Sequence, residues 1–410
     1  MDKVDKIFDS VVGNSLFKNK TVLQSNYMPE IILHREEHIE KIASILAPAL
    51  RGEKPSNLFI YGNTGTGKTL SVQHVKNKLL SKSRELGNEA LEVVYVNCKL
   101  GKTSETEYRI LARIINELGG SVPSTGLPTS DVYLRFIDLI DKKKQILLIV
   151  LDEIDQAVEK IGDSFIYSLI RLNTELRNAQ ISIIGISNKV TFMDNIDPRV
   201  RSSLGEEEIV FSPYNALQLQ DILKKRADQA FNESILEEGV VAKCAAYAAR
   251  EHGDARRALD LLRVAAEIAE RDGSKKITLS HIDAAKEKIE RDKMLDVIEG
   301  EPKQFQLVLY AIMGLDARKL REKNKDDNPA NCMYTGEVYN AYQEVCRKLK
   351  IEVLTQRRVS DILGEFDMLG IINAQEISKG RYGRTREIKL MLPPNLREKV
   401  REILEKSLEL

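Results

Sequence analysis

Eight consecutive residues carry the most specific chemistry in this chain. Gly62-Asn63-Thr64-Gly65-Thr66-Gly67-Lys68-Thr69 is a complete GxxxxGK[ST] loop. It directly follows the apolar run Leu58–Tyr61 and opens a helical segment, which is the context the motif requires. The glycines let backbone N–H groups wrap phosphate oxygens, and the helix N-terminus behind them adds its positive end. Lys68 can reach β- and γ-phosphates, and Thr69 can ligate Mg²⁺. ATP or ADP with Mg²⁺ are therefore the expected cofactors.

A second apolar run, Ile146–Leu151, delivers Asp152-Glu153. A strand this apolar is buried on both faces, and its carboxyl end is where a parallel sheet presents ligand groups. Asp152 is placed to hold Mg²⁺ and Glu153 to polarise an attacking water. The rival reading of the pair is an acidic helix cap. The run Ile181–Ser187 ends at Asn188, placed for the γ-phosphate or the water, although an Asn after a strand also makes a turn. Gly253-Asp254-Ala255-Arg256-Arg257 opens a helix. Arg256 could fold over the γ-phosphate, or it could be one of a solvated pair. In Asp197-Pro198-Arg199-Val200-Arg201, Arg201 or Arg199 could reach a neighbouring subunit's nucleotide as an arginine finger. Ordinary surface arginines fit the same pattern.

His34-Arg35-Glu36-Glu37-His38 matches HxxEH, a zinc-peptidase spacing that would put both histidines on one helix face. It opens a charged helical segment after Pro29, and no third ligand stands out. A solvated helix start accounts for it.

A different chemistry belongs to the C-terminal part. Thr335–Lys350 and Gln356–Leu369 read as two helices joined by a short link, with Thr355 as N-cap of the second. The pair has the form of a helix-turn-helix with Gln356, Arg357 and Arg358 near the start of the recognition helix. A hairpin is expected around 379–386. From Lys379 to Lys389 there are five basic residues and one acidic. Lys379, Arg381, Arg384 and Arg386 would form a basic wing suited to phosphate and minor-groove contact, and glycines 380 and 383 permit its turn.

These groups need elements to hold them. β-rich runs at Leu58–Tyr61, Val93–Asn97, Ile146–Leu151, Ile181–Ser187 and Ile209–Phe211 alternate with helical patterns, which predicts a parallel sheet covered on both faces. After Ser212-Pro213 the pattern is all-helical: Leu217–Phe231, Val240–His252, Ala255–Arg271 and Ser280–Lys293. Asp296–Pro302 reads as a linker, and the remainder as helices ending in the hairpin. The expected domains are 1–213, 214–297 and 298–410. A length of 410 residues suits two or three domains. Acidic and basic residues number 62 each, so partners must be argued from local clusters. The four cysteines, at 98, 244, 332 and 346, form no CxxC pair and read as reduced buried thiols. No apolar run approaches a membrane span and no signal-peptide pattern opens the chain, so a cytoplasmic, nucleoid-associated protein is expected.

The order of these parts resembles the AAA+ superfamily, and within it the archaeal origin-recognition and cell-division-cycle initiator family. The resemblance covers nearly the whole chain. It is carried by HREEHI (34–39), GNTGTGKT (62–69), LDEID (151–155), ISNK (186–189), FSPY (211–214), GDARRALDLLR (253–263), TGEVYNAY (335–342), TQRRVSDIL (355–363) and SKGRYGRTREI (378–388). It implies an α/β AAA+ P-loop domain, an all-helical lid and a C-terminal winged helix. Asn188 would be the first sensor and Arg256 the second. Tyr27–Arg35 would wall the adenine, Tyr214 would lie near the lid hinge, and Arg201 before Arg199 would be the finger. Family members bind origin duplex DNA through the winged helix and through a helical insertion in the ATPase domain. That insertion is expected in the long stretch between Asn97 and Ile146, around Gly119–Val132. The resemblance also implies paralogous initiator subunits and the replicative helicase as partners. The expected activity is a slow ATPase acting as an ATP/ADP switch at origins. The rival functions are a nucleotide-bound transcriptional regulator, a hexameric DNA motor and a signalling ATPase.

Overall fold

A computed structural model describes residues 15–99, 106–123, 125–192, 196–204, 206–322, 332–378 and 384–410. The chain forms two compact units, divided between Ala285 and Lys286.

In the first unit five strands form one parallel sheet: β1 (Asn57–Tyr61), β2 (Leu91–Asn97), β3 (Gln145–Asp152), β4 (Ala179–Ser187) and β5 (Glu206–Val210). Their order is β2-β3-β4-β1-β5. Every neighbouring pair is parallel, so all carboxyl ends share one edge. Side chains alternate between two cores, as the period of a strand requires. Leu147, Ile149 and Leu151 pack with Ile110, Phe136 and Phe165 on one face. Ile146, Leu148 and Val150 pack with Leu46, Val72 and Val75 on the other. The helices Glu107–Glu117, Thr129–Ile140, Ile154–Ile161 and Ser164–Arg171 supply the first layer; Glu36–Leu46 and Lys68–Glu85 supply the second.

Strand β5 is an outer strand, and the helix Glu36–Leu46 lies along its free edge. Lys41 Nζ donates to the Glu208 carbonyl at 3.2 Å, and His38 Nε2 lies 3.3 Å from the Val210 carbonyl oxygen. The His38 ring also stacks on Phe211, with centroids 4.4 Å apart. Its burial there holds the imidazole below its ordinary pKa.

Beyond β5 come the helices Ala216–Ala230, Val240–Arg250 and Ala255–Arg271. They start where capping chemistry puts them. Asn215 and Gln218 form a reciprocal capping box, and Asp254 accepts from the N–H groups of Arg256 and Arg257.

Several expectations are corrected here. Asp296–Gly300 is no linker. It completes the helix Leu279–Gly300, with Leu295 and Ile298 buried; only Glu301-Pro302 separate it from the helix Lys303–Glu322. The helix after Pro29 begins at Glu36, and His34 precedes it with φ 58°, so His34 and His38 share no helix face. His34 Nε2 instead lies 3.1 Å from Asp221 Oδ2. Between Asn97 and Ile146, where the helical insertion is expected, the helices are Glu107–Glu117 and Thr129–Ile140; within Gly119–Val132 itself the chain is helical only from Thr129.

In the second unit, β6 (Met333–Tyr334), β7 (Ile372–Ser378) and β8 (Arg384–Leu390) form an antiparallel sheet in the order β6-β8-β7. The helices Lys303–Glu322, Thr335–Leu349 and Gln356–Met368 pack on it. The chain does not end at the hairpin: Pro394–Leu408 returns as a helix and buries Leu396, Val400 and Leu404 in the same core.

Phe136 is buried in the sheet's first core. Phe136→Ala should cost about 3–5 kcal/mol. Chemical denaturation followed by far-ultraviolet circular dichroism would show it as a lower midpoint for the first unit only. An unchanged midpoint would remove that face from the account of stability.

Candidate functional site

The shared carboxyl edge of the sheet gathers the sequence-predicted groups. β1 feeds the loop 62–69, β3 ends in Asp152, and β4 runs into Asn188. The loop takes a path that only glycine tolerates. Gly65 and Gly67 have φ values of 68° and 90°. A Cβ on Gly62 would stand 2.3 Å from the Phe211 carbonyl oxygen, and one on Gly65 would stand 1.7 Å from Asp254 Oδ1. The helix Lys68–Glu85 then starts with no side-chain cap and no acidic residue in its first turn. Its leading N–H groups and its dipole are suited to an anion.

Lys68 is buried beneath the loop. Its Nζ donates to the carbonyl oxygens of Gly62 and Asn63, both at 2.7 Å, and to Asn188 Oδ1 at 2.9 Å. Burial disfavours the ammonium, and Arg256 adds to this; Asp152, Asp155 and Asp254 oppose it, leaving the pKa at about 8. Asn188 is held in turn, its backbone N–H lying 3.3 Å from Asp155 Oδ1. Thr69 Oγ1 donates to Asp152 Oδ2 at 3.0 Å. These are hard oxygen ligands at the foot of a phosphate cradle, a donor set that fits Mg²⁺. Glu153 follows with φ 56° and ψ 43°, a left-handed conformation that is uncommon for a non-glycine residue. Its carboxylate is 3.6 Å from Lys99 Nζ.

The lid helices close over this edge. Asp254, at the N-cap of Ala255–Arg271, lies 3.4 Å from Thr64 Oγ1, and Ala255 N–H donates to the Gly65 carbonyl at 3.2 Å. Arg256 follows and is exposed into the same space. Tyr27, Pro29, Ile31 and Ile32 form another wall, backed by Arg226, whose guanidinium sits 4.6 Å over the Tyr27 ring. Together they enclose a cavity of about 830 Å³. Thr64–Thr69, Asp152, Glu153, Asn188, Tyr214 and Arg256 all line it.

Two expected residues lie elsewhere. Arg35 does not line the cavity but braces the loop from behind. Its Nε donates to the Thr66 carbonyl at 2.9 Å and a terminal nitrogen donates to the Ser212 carbonyl at 2.5 Å. The guanidinium faces the Tyr214 ring at 3.9 Å. Arg201 lies outside the cavity, exposed, 3.8 Å from Glu208. Any nucleotide it serves would belong to another subunit.

The sequence reading missed four residues. Asp155 and Asp254 lie inside the quoted motifs LDEID and GDARR, and the capping position of Asp254 was a usable signal. Arg226 is a lid residue that reaches the Val22 and Tyr27 carbonyls. Tyr95 OH donates to Asp152 Oδ2 at 2.5 Å. Nothing local marks either of these.

In the second unit, Val359, Ile362, Leu363 and Phe366 bury one face of the helix Gln356–Met368. Gln356, Arg357 and Arg358 remain exposed at its start, capped by Thr355. Tyr342 OH accepts from Leu354 N–H at 3.0 Å and fixes the link between the two helices. Arg386 is partly engaged inside the unit: its Nη1 donates to the Ser360 carbonyl at 3.0 Å and its Nη2 is 3.7 Å from Glu376. It ties the hairpin to the helix. Lys379 and Arg381 lie outside the described residues. Arg384 opens β8 opposite Ser378.

Comparison with known proteins agrees with these parts. Residues 51–189 match the model of an AAA domain, 220–287 the Cdc6 AAA+ ATPase-type lid domain, and 296–400 the CDC6, C terminal winged helix domain. An ORC1-type DNA replication protein of Pyrococcus abyssi is 52% identical over 396 residues, covering 95% of this chain and 91% of the relative. ORC1-type DNA replication protein 1 of Methanosarcina acetivorans is 48% identical over 398 residues, covering 97% and 93%. Among solved structures, the Aeropyrum pernix ORC1 protein in complex with DNA is 43% identical with a TM-score of 0.78, covering 95% of this chain and 97% of that one. Cdc6p of Pyrobaculum aerophilum, 21% identical with a TM-score of 0.58, shares the fold and covers 96% and 99%. With a phosphate loop, a Cdc6-type lid and a winged helix in one continuous match, the chain belongs to the ORC1-type DNA replication proteins of archaea.

Proposed function

We propose that this chain is an ATP-dependent replication initiator that binds origin duplex DNA and changes state with its nucleotide. The observation that carries the switch is the contact of the lid with the phosphate loop through Asp254, Ala255 and Gly65. A nucleotide seated in that loop would meet the lid directly at Arg256. In this reading the ATPase runs to 213, the lid spans 214–297 and the winged helix begins at 298. The origin reading is supported by the exposed Gln356, Arg357 and Arg358 and by the relative whose structure is described with DNA.

The residues have separable roles. The loop N–H groups and Lys68 hold the phosphates, and Thr69 with Asp152 would hold Mg²⁺. The cation would supply charge neutralisation at the β- and γ-phosphates. Glu153 orients and polarises a water; Asn188, bonded to Lys68, fixes the second contact on the terminal phosphate. Arg256 senses that phosphate from the lid, and Arg201 acts in trans on a paralogous initiator subunit. Lys379, Arg381 and Arg384 hold DNA phosphates, and Arg386 divides its role between DNA and the Ser360 carbonyl. Slow turnover, recruitment of the replicative helicase and a nucleoid-associated place in the cytoplasm complete the proposal. Among the described residues no helix is long and apolar enough to cross a membrane.

Three predictions test this. Glu153→Gln should lower ATP hydrolysis at least about a hundredfold while ATP stays bound; normal turnover would remove Glu153 from its role. Nucleotide affinity should be level below pH 8 and fall above it. Lys68 titrates at about 8 in the free protein, and only its protonated form attracts phosphate. Isothermal titration across pH 7 to 9.5 would show this, and a flat profile would reject it. Finally, the protein incubated with sheared genomic DNA of its source should enrich one or a few repeat-containing intergenic sites, with occupancy differing between ATP and ADP. Arg357→Ala should weaken that binding and reduce its salt slope by about one. Many promoter-proximal peaks would instead identify a transcriptional regulator.

A further inference from the structure

The Asp152 carboxylate accepts one hydrogen bond from outside its own strand and the phosphate loop. Its Oδ1 accepts from Glu153 N–H at 3.0 Å, and its Oδ2 accepts from Thr69 Oγ1 at 3.0 Å. The extra donor is Tyr95 OH, 2.5 Å from the same Oδ2. Tyr95 comes from β2, the outer strand beside β3, where it stands opposite Val150, two residues before Asp152. Its ring is partly buried, with Lys76 Nζ 5.8 Å from its centroid.

We propose that Tyr95 is a positioning residue for the divalent cation: its hydroxyl fixes the Asp152 carboxylate in the orientation that Mg²⁺ requires. The physical reason is the geometry demanded by the ion. Mg²⁺ takes a near-ideal octahedron and tolerates little misplacement, whereas Ca²⁺ accepts larger and more flexible shells. A carboxylate held only by Thr69 and by its neighbour's N–H can still turn about its Cβ–Cγ bond. The Tyr95 hydroxyl removes that freedom from a strand that carries none of the phosphate loop. Groups that hydrogen-bond a metal-ligating carboxylate commonly govern metal affinity in this way.

The inference rests on the nucleotide reading above, and the test separates the two. Binding of a fluorescent ADP analogue to the full chain would be measured in EDTA, then titrated with Mg²⁺ and separately with Ca²⁺, for the wild type and Tyr95→Phe. Phenylalanine keeps the ring and loses only the donor. The expected result is unchanged affinity in EDTA, a Mg²⁺ half-point raised about tenfold, and a smaller rise for Ca²⁺. An unchanged Mg²⁺ half-point, or equal losses in EDTA and with both cations, overturns the role and makes Tyr95 ordinary packing. A wild type that binds no nucleotide under any condition overturns the nucleotide reading itself, and this inference with it.

Discussion

Gly65 and Asp254 leave no space between them, and the ATPase unit depends on that closeness. The phosphate loop cannot carry a side chain there, because the lid's capping carboxylate already fills the position. The same crowding recurs at the neighbouring joints. The backbone of Gly62 lies against Phe211, and that of Gly253 against Tyr214, where a Cβ would meet a carbonyl oxygen at 2.4 Å. Loop, hinge and lid therefore touch where glycine leaves the backbone bare on at least one side. Packed contacts of this kind are bistable more than elastic, so the joint leaves little room for intermediate positions of loop and lid.

The electrostatics of the edge follow from the same compression. One buried ammonium, three carboxylates near it and a lid arginine share a small space. Lys68 is retained as a cation by Asp152, Asp155 and Asp254 against the cost of its burial. Arg35 performs a related task one layer back. Its guanidinium, buried and held below its ordinary pKa, joins the loop to the strand that leads into the lid. The site is thus built in shells, and the outer shell is drawn from elements distant in sequence.

That layering explains what could be read from the sequence. The loop 62–69, Asp152-Glu153 and Asn188 each sit at the end of an apolar run, so chain-local pattern places them on one sheet edge. Asp254 was readable as a cap but not as a partner of Gly65. Arg226 and Tyr95 are invisible to local pattern, because their partners lie on other elements far along the chain. Arg35 lies in a quoted motif, and the resemblance puts it on the adenine wall; its bracing role depends on the Thr66 and Ser212 carbonyls, which lie far along the chain. The linker was misread for a simpler reason. Gly300 and Pro302 are real breakers, but nothing before them stops the helix, and Leu295 and Ile298 have a core to enter.

The free edge of β5 bears on how one copy of the chain can meet another. A parallel sheet ends in a row of unpaired carbonyl oxygens, which can template another chain's strand. Here the carbonyls of Glu208 and Val210 are already occupied by Lys41 and His38, and the strand begins with three consecutive glutamates. At this edge two backbone acceptors are taken and the strand is acidic, which disfavours pairing with another strand. A second copy that approached β5 would therefore meet side chains that can release, not backbone pairing that would lock the two together.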